Sequence, residues 1–235
     1  MNEPTPPTPV QRGRGTGLFV AFEGGDGAGK STQSRLLGQW LTDLGYAVRH
    51  TREPGGTGLG RQVRELLLHG EDGSVSPRAE ALLFAADRAH HVASVVRPAL
   101  ERGEVVLTDR YLDSSVAYQG AARALGHQEI RDLSLWAVEG LRPDLTVLLD
   151  VTAREGRVRR GAVHDRLERE ADDFHDRVRR GFLDLAAREP DRYVVLDAAQ
   201  PVKELAGQIR ERVAPLLPHA GVARVDQAVT AEGAR

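Results

Sequence analysis

"EGGDGAGKSTQ", residues 23–33, crowds four glycines around one of only two lysines in the chain. Apart from Lys203, the remaining Lys/Arg positions are all arginine, so a lysine at position 30 marks a place that arginine does not fill. Gly24 to Ser31 fits the spacing G-x-x-x-x-G-K-[ST]. It follows "GLFVAFEG" (17–24), an apolar run without polar alternation that predicts a buried strand, and it opens a helical pattern from about Lys30 to Leu44 that ends at Gly45. Strand, glycine loop and helix N-terminus in that order make a phosphate cradle. Glycines let successive backbone N–H groups turn inward, and the helix adds its partial positive charge. A lysine then reaches the β- and γ-phosphates as a mobile point charge, which the rigid fork of arginine cannot do. This assigns a nucleotide triphosphate to Gly24, Gly25, Asp26, Gly27, Ala28, Gly29, Lys30, Ser31 and Thr32, with the Ser31 hydroxyl on Mg²⁺.

Outward from the loop, four more short apolar runs alternate with helical segments: "AVRHT" (47–51), "EVVLTD" (104–109), "DLTVLLDV" (144–151) and "RYVVLD" (192–197). This alternation predicts an α/β fold of the P-loop NTPase kind, a five-stranded parallel doubly wound sheet with helices on both faces. Ser76 is placed to cap a long helix, with Pro77 at its first position, running to about Glu101. The segment before residue 17, "MNEPTPPTPVQRGRG…", reads as a disordered Pro/Gly-rich tail, and residues 218–235 as a frayed end, leaving one domain over 17–217.

Composition narrows the chemistry. Without a cysteine among 235 residues there is no thiolate nucleophile, thiolate metal site or disulfide framework. A net charge of -2, with arginines interleaved among acids, does not favour a nucleic-acid partner. No stretch has the length and apolarity of a membrane span or a signal peptide, so the expectation is a cytoplasmic protein with small-molecule partners. A GTPase of the usual kind needs an Asn-Lys-x-Asp loop, and the sole asparagine is Asn2.

At "TREPGGTGLG" (51–60), "FAADR" (84–88), "LTDRYLDSSVAYQG" (107–120) and "RPDLTVLLDV" (142–151), in order with the phosphate loop, the sequence resembles bacterial thymidylate kinases from about Leu18 to Leu216. The resemblance implies transfer of the γ-phosphoryl of ATP to dTMP, with Mg²⁺, by a homodimer. Phe84 and Arg88, four apart, share a helical face. A base stacked on the phenyl ring with its carbonyl on the guanidinium is one reading of that pair, and a core phenylalanine beside an ion-paired arginine is the other; the resemblance implies the first. Asp109 ends a strand at the sheet edge where ligands of such folds bind, and is placed to hold Mg²⁺. Arg110 is suited to a bidentate grip on the dTMP phosphate. Ser115, Tyr118 and Gln119 stand at i, i+3 and i+4 of the next helix. The resemblance implies thymine contacts for Ser115 and Gln119 and a place under the sugar for Tyr118. It also implies that the region of Glu53, Pro54 and Arg64 closes over the monophosphate, that Asp26 faces the sugar and the metal, and that Glu168 faces the nucleotide.

The stretch "TAREGRVRRGAVHDRLEREADDF" (152–174) reads either as a solvated charged helix or as a lid, about 152–170, that carries a catalytic arginine. Gly27 and Ala28 put no charge in the phosphate loop. The resemblance is therefore to the lid-arginine type, with Arg157, Arg160 and Arg166 as the candidates beside Lys30 and Arg110. A kinase of another small pyrimidine nucleotide or nucleoside, and a P-loop ATPase acting as a switch, are the alternatives.

Overall fold

The computed structural model describes residues 17–68, 75–159 and 165–218. The tails expected up to residue 16 and over most of 218–235, and Arg160 of the expected lid, lie outside the described residues. Five strands, β1 (Phe19–Glu23), β2 (Val48–Arg52), β3 (Val105–Asp109), β4 (Leu145–Asp150) and β5 (Tyr193–Asp197), form one sheet in the order β2-β3-β1-β4-β5. Every pairing is parallel. All five expected strands are present, each end within two residues of its sequence reading.

The burial pattern explains why the central runs lack polar alternation. Val20 and Phe22 of β1 face one way, against Leu37 and Leu41 of α1 (Lys30–Asp43). Phe19 and Ala21 face the other way, against Val92, Val96 and Tyr111. A strand covered on both faces has no solvent side on which to place a polar residue. β2 lies at the sheet edge, and its Arg49 and His50 are exposed.

The remaining helices are α2 (Gly58–Leu68), α3 (Pro77–His91), α4 (Arg97–Glu101), α5 (Leu112–Ser115), α6 (His127–Ala137), α7 (Ala153–Arg159), α8 (Asp172–Arg188) and α9 (Val202–Val213). The helix expected from Pro77 to about Glu101 follows that path but widens into a π-helical stretch, Val92–Val96, before α4. Pro98 supplies the reason: it has no N–H for the carbonyl one turn back, and its ring crowds that carbonyl, so the chain loosens there. Pro77 opens α3 as expected, whereas the Ser76 side chain makes no capping hydrogen bond. A second π-helical stretch, Val116–Ala122, follows α5 and packs on α8, where Gly181 lies so close that an added Cβ would stand 3.2 Å from the Ala117 Cα. From β1 the chain builds outward to β2 and back to β3 on one side, then crosses to β4 and β5 on the other, so the change of direction falls at the carboxyl end of β1.

Candidate active site

A cleft of about 500 Å³ opens at that carboxyl edge, between the loop after β1, the ends of β2 and β3, and residues of α3 and the second π-helical stretch. Glycines shape its floor. Gly24 has φ 130°, and a Cβ there would stand 2.3 Å from the Leu149 carbonyl oxygen of β4. No larger residue fits. Gly29, at φ 94°, hands the loop over to α1. Asp26, Gly27, Gly29, Lys30, Ser31 and Thr32 line the cleft. Gly24 lies behind it, Gly25 faces a small neighbouring pocket, and Ala28 is in the core.

Lys30 Nζ donates to the carbonyls of Gly24 at 3.1 Å and Gly25 at 2.9 Å, and lies 3.9 Å from Asp26. Burial, then the nearby Arg110 charge, pull its pKa below 10.5, against the opposing carboxylates of Asp26, Asp109 and Glu23. The Ser31 hydroxyl donates to Asp109 Oδ2 at 2.8 Å. The two residues expected to share a metal thus meet across the β1–β3 pairing. A hydroxyl and a carboxylate are hard oxygen donors that suit Mg²⁺. Among the described residues there is no group of three or more metal-ligating His, Cys, Asp or Glu side chains. Such a pair fits an ion held mainly by phosphate oxygens and water.

Arg110 has φ 69°, an uncommon conformation for a side-chain-bearing residue. The turn is held by Glu23, whose Oε1 accepts from the backbone N–H groups of Tyr111 at 2.8 Å and Ser114 at 3.1 Å, and whose Oε2 accepts from the Ser114 hydroxyl at 2.6 Å. Arg110 Nη2 then reaches Asp26 at 2.5 Å and the Tyr118 hydroxyl at 3.2 Å, while Nη1 reaches the Gly24 carbonyl at 3.2 Å. Tyr118 also donates to Asp26 at 3.2 Å. This constellation brings together three residues expected at the site. Glu23, the buried carboxylate behind them, was not expected; its signal in sequence was an acid ending an otherwise apolar strand.

At the far end, Phe84, Arg88, Ser115 and Gln119 share the cleft with Glu53 and Pro54. Arg88 satisfies both of its sequence readings at once. It lines the cleft, and it is ion-paired: Nε donates to Glu53 at 2.7 Å and Nη2 to the Tyr111 carbonyl at 3.2 Å and the Ser115 hydroxyl at 3.1 Å. Glu53 also meets His91 Nδ1 at 2.8 Å. Asp87 behind them is pushed up to about 6 by burial and by the Glu53 charge. Tyr118 and Gln119 belong to the π-helical stretch, so the expected i, i+3, i+4 face is distorted, yet both remain buried and reach the cleft with Ser115.

Arg64 lines the wall and donates to the Pro54 carbonyl at 3.2 Å; burial and the Arg52 charge lower its pKa. Glu168 faces the cleft, its backbone N–H bonded to Asp165 at 2.9 Å. The three lid candidates part company. Arg157 is exposed and ion-paired with Asp172. Arg166 is buried, its guanidinium bonded to Glu80 and to the Leu67 carbonyl, away from the cleft. Arg160 lies outside the described residues. Arg159, which the sequence reading passed over, lines the cleft and donates to the Ala198 carbonyl at 2.9 Å. α7, where the lid is expected to begin, lies against the glycine loop, because a Cβ at Gly27 would stand 2.5 Å from the Gly156 carbonyl oxygen.

The family model for thymidylate kinase matches residues 22–209. The chain belongs to the thymidylate kinase family. It is 63% identical over 200 residues to the thymidylate kinase of Leifsonia xyli subsp. xyli, covering 84% of this chain and 94% of that one. It is 57% identical over 201 residues to the thymidylate kinase of Cutibacterium acnes, covering 86% and 98%. With the thymidylate kinase of Bifidobacterium longum subsp. infantis it shares 53% identity over 222 residues, covering 93% and 95%. No helix among the described residues is long and apolar enough to cross a membrane.

The Glu23 clasp has a pH signature. Burial raises its pKa from 4.5 to about 7, with Arg110 opposing. Between those values the folded protein holds a proton that the unfolded chain releases, so this contribution to stability is full below pH 4.5 and is lost as pH rises through about 7. Glu23→Gln keeps the acceptor for both backbone N–H groups and does not titrate. In urea unfolding, wild type should lose roughly 3 kcal/mol relative to this variant between acid and pH 8. Parallel pH profiles for the two proteins would show that Glu23 does not titrate as described.

Proposed function

We propose that this protein transfers the γ-phosphoryl group of ATP to dTMP, giving dTDP and ADP. The observation that carries this reading is a single cleft with a phosphate loop at one end and a donor, an acceptor and an aromatic ring at the other, with Asp109 and Arg110 between them. The loop N–H groups and Lys30 bind the β- and γ-phosphates. Arg110 grips the acceptor phosphate, its guanidinium aimed by Asp26 and Tyr118. Phe84, Arg88, Ser115 and Gln119 hold the base, and Glu53, Pro54, Arg64 and Glu168 wall the nucleotide in. Ser31 and Asp109 would hold Mg²⁺, which would supply positive charge to offset that of the phosphates. A phosphate monoester is already a competent nucleophile, so these residues act by positioning and charge neutralisation and need no covalent intermediate.

The lid, about 152–170, supplies the arginine that meets charge developing on the transferred group. Two features support this: Gly27 and Ala28 carry no charge, and the Gly27–Gly156 contact joins lid to loop. The catalytic unit is residues 17–217, working in the cytoplasm as a homodimer. Leu66 of α2, Leu82 of α3 and Trp136 of α6 support the dimer, for they are 58%, 58% and 80% exposed on helices of which α3 packs against both others.

Coupled detection of ADP should show release that depends on dTMP, lost in Lys30→Ala with the fold retained and unchanged without residues 1–15. Release independent of dTMP would indicate an ATPase, and a preference for another acceptor a different kinase. Among Arg157→Ala, Arg160→Ala and Arg166→Ala, the residue that meets the phosphoryl should lower kcat by roughly 10² to 10⁴ with little change in dTMP affinity. Near-normal kcat in all three, and in Arg159→Ala at the cleft wall, would remove the lid from catalysis. Light scattering should give twice the chain mass of 25.6 kDa, and a monomer at assay concentration would contradict the dimer.

A further inference from the structure

We propose that Glu80 is a positioning residue that decides which way round Gln119 presents its amide, and so makes the cleft select a base with a protonated ring nitrogen beside a carbonyl over one with a bare ring nitrogen beside an amino group. The inference rests on reading the cleft as a pyrimidine nucleotide site.

A glutamine amide is ambidextrous: turned by half a rotation, it exchanges an acceptor for two donors. Left to itself, Gln119 would serve either kind of base edge. Its surroundings remove the choice. Gln119 and Glu80 are each 1% exposed, and Gln119 Nε2 donates to Glu80 Oε1 at 2.9 Å. Glu80 Oε1 also faces Arg123 Nε at 3.4 Å, and Oε2 accepts from Arg166 Nη2. A carboxylate between two guanidiniums accepts and does not donate. Turning the Gln119 amide would set oxygen against oxygen in a buried site and forfeit a hydrogen bond to a charged group. The amide is therefore locked with its NH₂ toward Glu80 and its oxygen left for the cleft. The side-chain hydrogen bond of Gln119 runs from Nε2 to Glu80, and Gln119 lines the cleft.

The partner group is fixed in the opposite sense. Arg88 has donors only, and Glu53, Ser134, Ser115 and the Tyr111 carbonyl hold its guanidinium in place. The same cleft thus offers one fixed donor and one fixed acceptor. Thymine and uracil present N3–H next to O4 and complement both. Cytosine presents bare N3 next to an amino group and opposes both. Selection of this polar kind is stronger than a fit of shape alone, because the wrong base leaves buried polar groups unpaired.

The test compares kcat/KM for dTMP and for dCMP, using the full chain as wild type, Glu80→Gln, Gln119→Leu, the double variant Glu80→Gln/Gln119→Leu, and the exchange Glu80→Gln/Gln119→Glu. Glu80→Gln frees the amide, so the dTMP-to-dCMP ratio should fall about 10- to 100-fold, mainly through a higher KM for dTMP with kcat nearly kept. Placed on Gln119→Leu, the same substitution should change the ratio less than about twofold, because the effect passes through Gln119. The exchange keeps one negative charge beside the two arginines and an acceptor at 119, and should restore the preference for dTMP. An unchanged ratio in Glu80→Gln, an equal fall in both backgrounds, or a folded exchange variant without the preference would each overturn the proposal. Should Glu80→Gln fail to fold, Glu80→Asp, which draws the carboxylate back from the Gln119 amide, takes its place, and an unchanged ratio there would overturn the proposal. A wild-type protein inactive on dTMP would instead overturn the substrate reading on which the inference rests.

Discussion

The parallel pairing of β1 with β3 is the constraint on which the site depends. It sets Phe22 beside Asp109, so the phosphate loop that follows β1 and the Asp109–Arg110 turn that follows β3 emerge as neighbours. The Ser31–Asp109 hydrogen bond and the Arg110–Asp26 ion pair both bridge that junction. Glu23 locks it from behind, accepting two backbone N–H groups of the turn and the Ser114 hydroxyl. A buried carboxylate with three donors is a rigid support, and rigidity is what a positioning mechanism requires.

The strands and the loop were legible because their signals are local. A run such as "VVLTD" has nowhere to go but the interior of a sheet, and G-x-x-x-x-G-K-[ST] has meaning only between a strand and a helix. Phe84, Arg88, Ser115 and Gln119 were found through spacing together with family resemblance, and they do converge on one cleft. What periodicity could not show is the widening at Val92–Val96 and Val116–Ala122, since a pattern argument assumes 3.6 residues per turn throughout. Nor could it separate the arginines. Arg157, Arg159 and Arg166 look alike on paper, and their partners, Asp172, the Ala198 carbonyl and Glu80, lie 15, 39 and 86 residues away. Glu23 and Glu80 escaped notice for the same reason: an acid that serves the site from behind makes contacts distant in sequence.

The charges around the cleft follow one pattern. Glu53 holds Arg88, Glu80 holds Gln119 and Arg166, Glu23 holds the turn bearing Arg110, and Asp26 aims the Arg110 guanidinium. Each of these cleft side chains, Arg88, Gln119 and Arg110, has polar atoms already committed to a neighbouring carboxylate. Such pairs are weak evidence for stability, because desolvation offsets much of their attraction. They serve geometry: a donor or acceptor whose alternatives are removed presents one face to the ligand.

The most direct test of this account is a crystal structure of the chain with dTMP, a non-hydrolysable ATP analogue and Mg²⁺. The account predicts the triphosphate inside the Gly24–Ser31 loop with Lys30 on its β/γ oxygens, the metal within about 2.1 Å of the Ser31 hydroxyl oxygen and supported by Asp109, and the dTMP phosphate on Arg110. A triphosphate seated elsewhere in the cleft, or a dTMP phosphate away from Arg110 with the metal remote from Ser31 and Asp109, would contradict it.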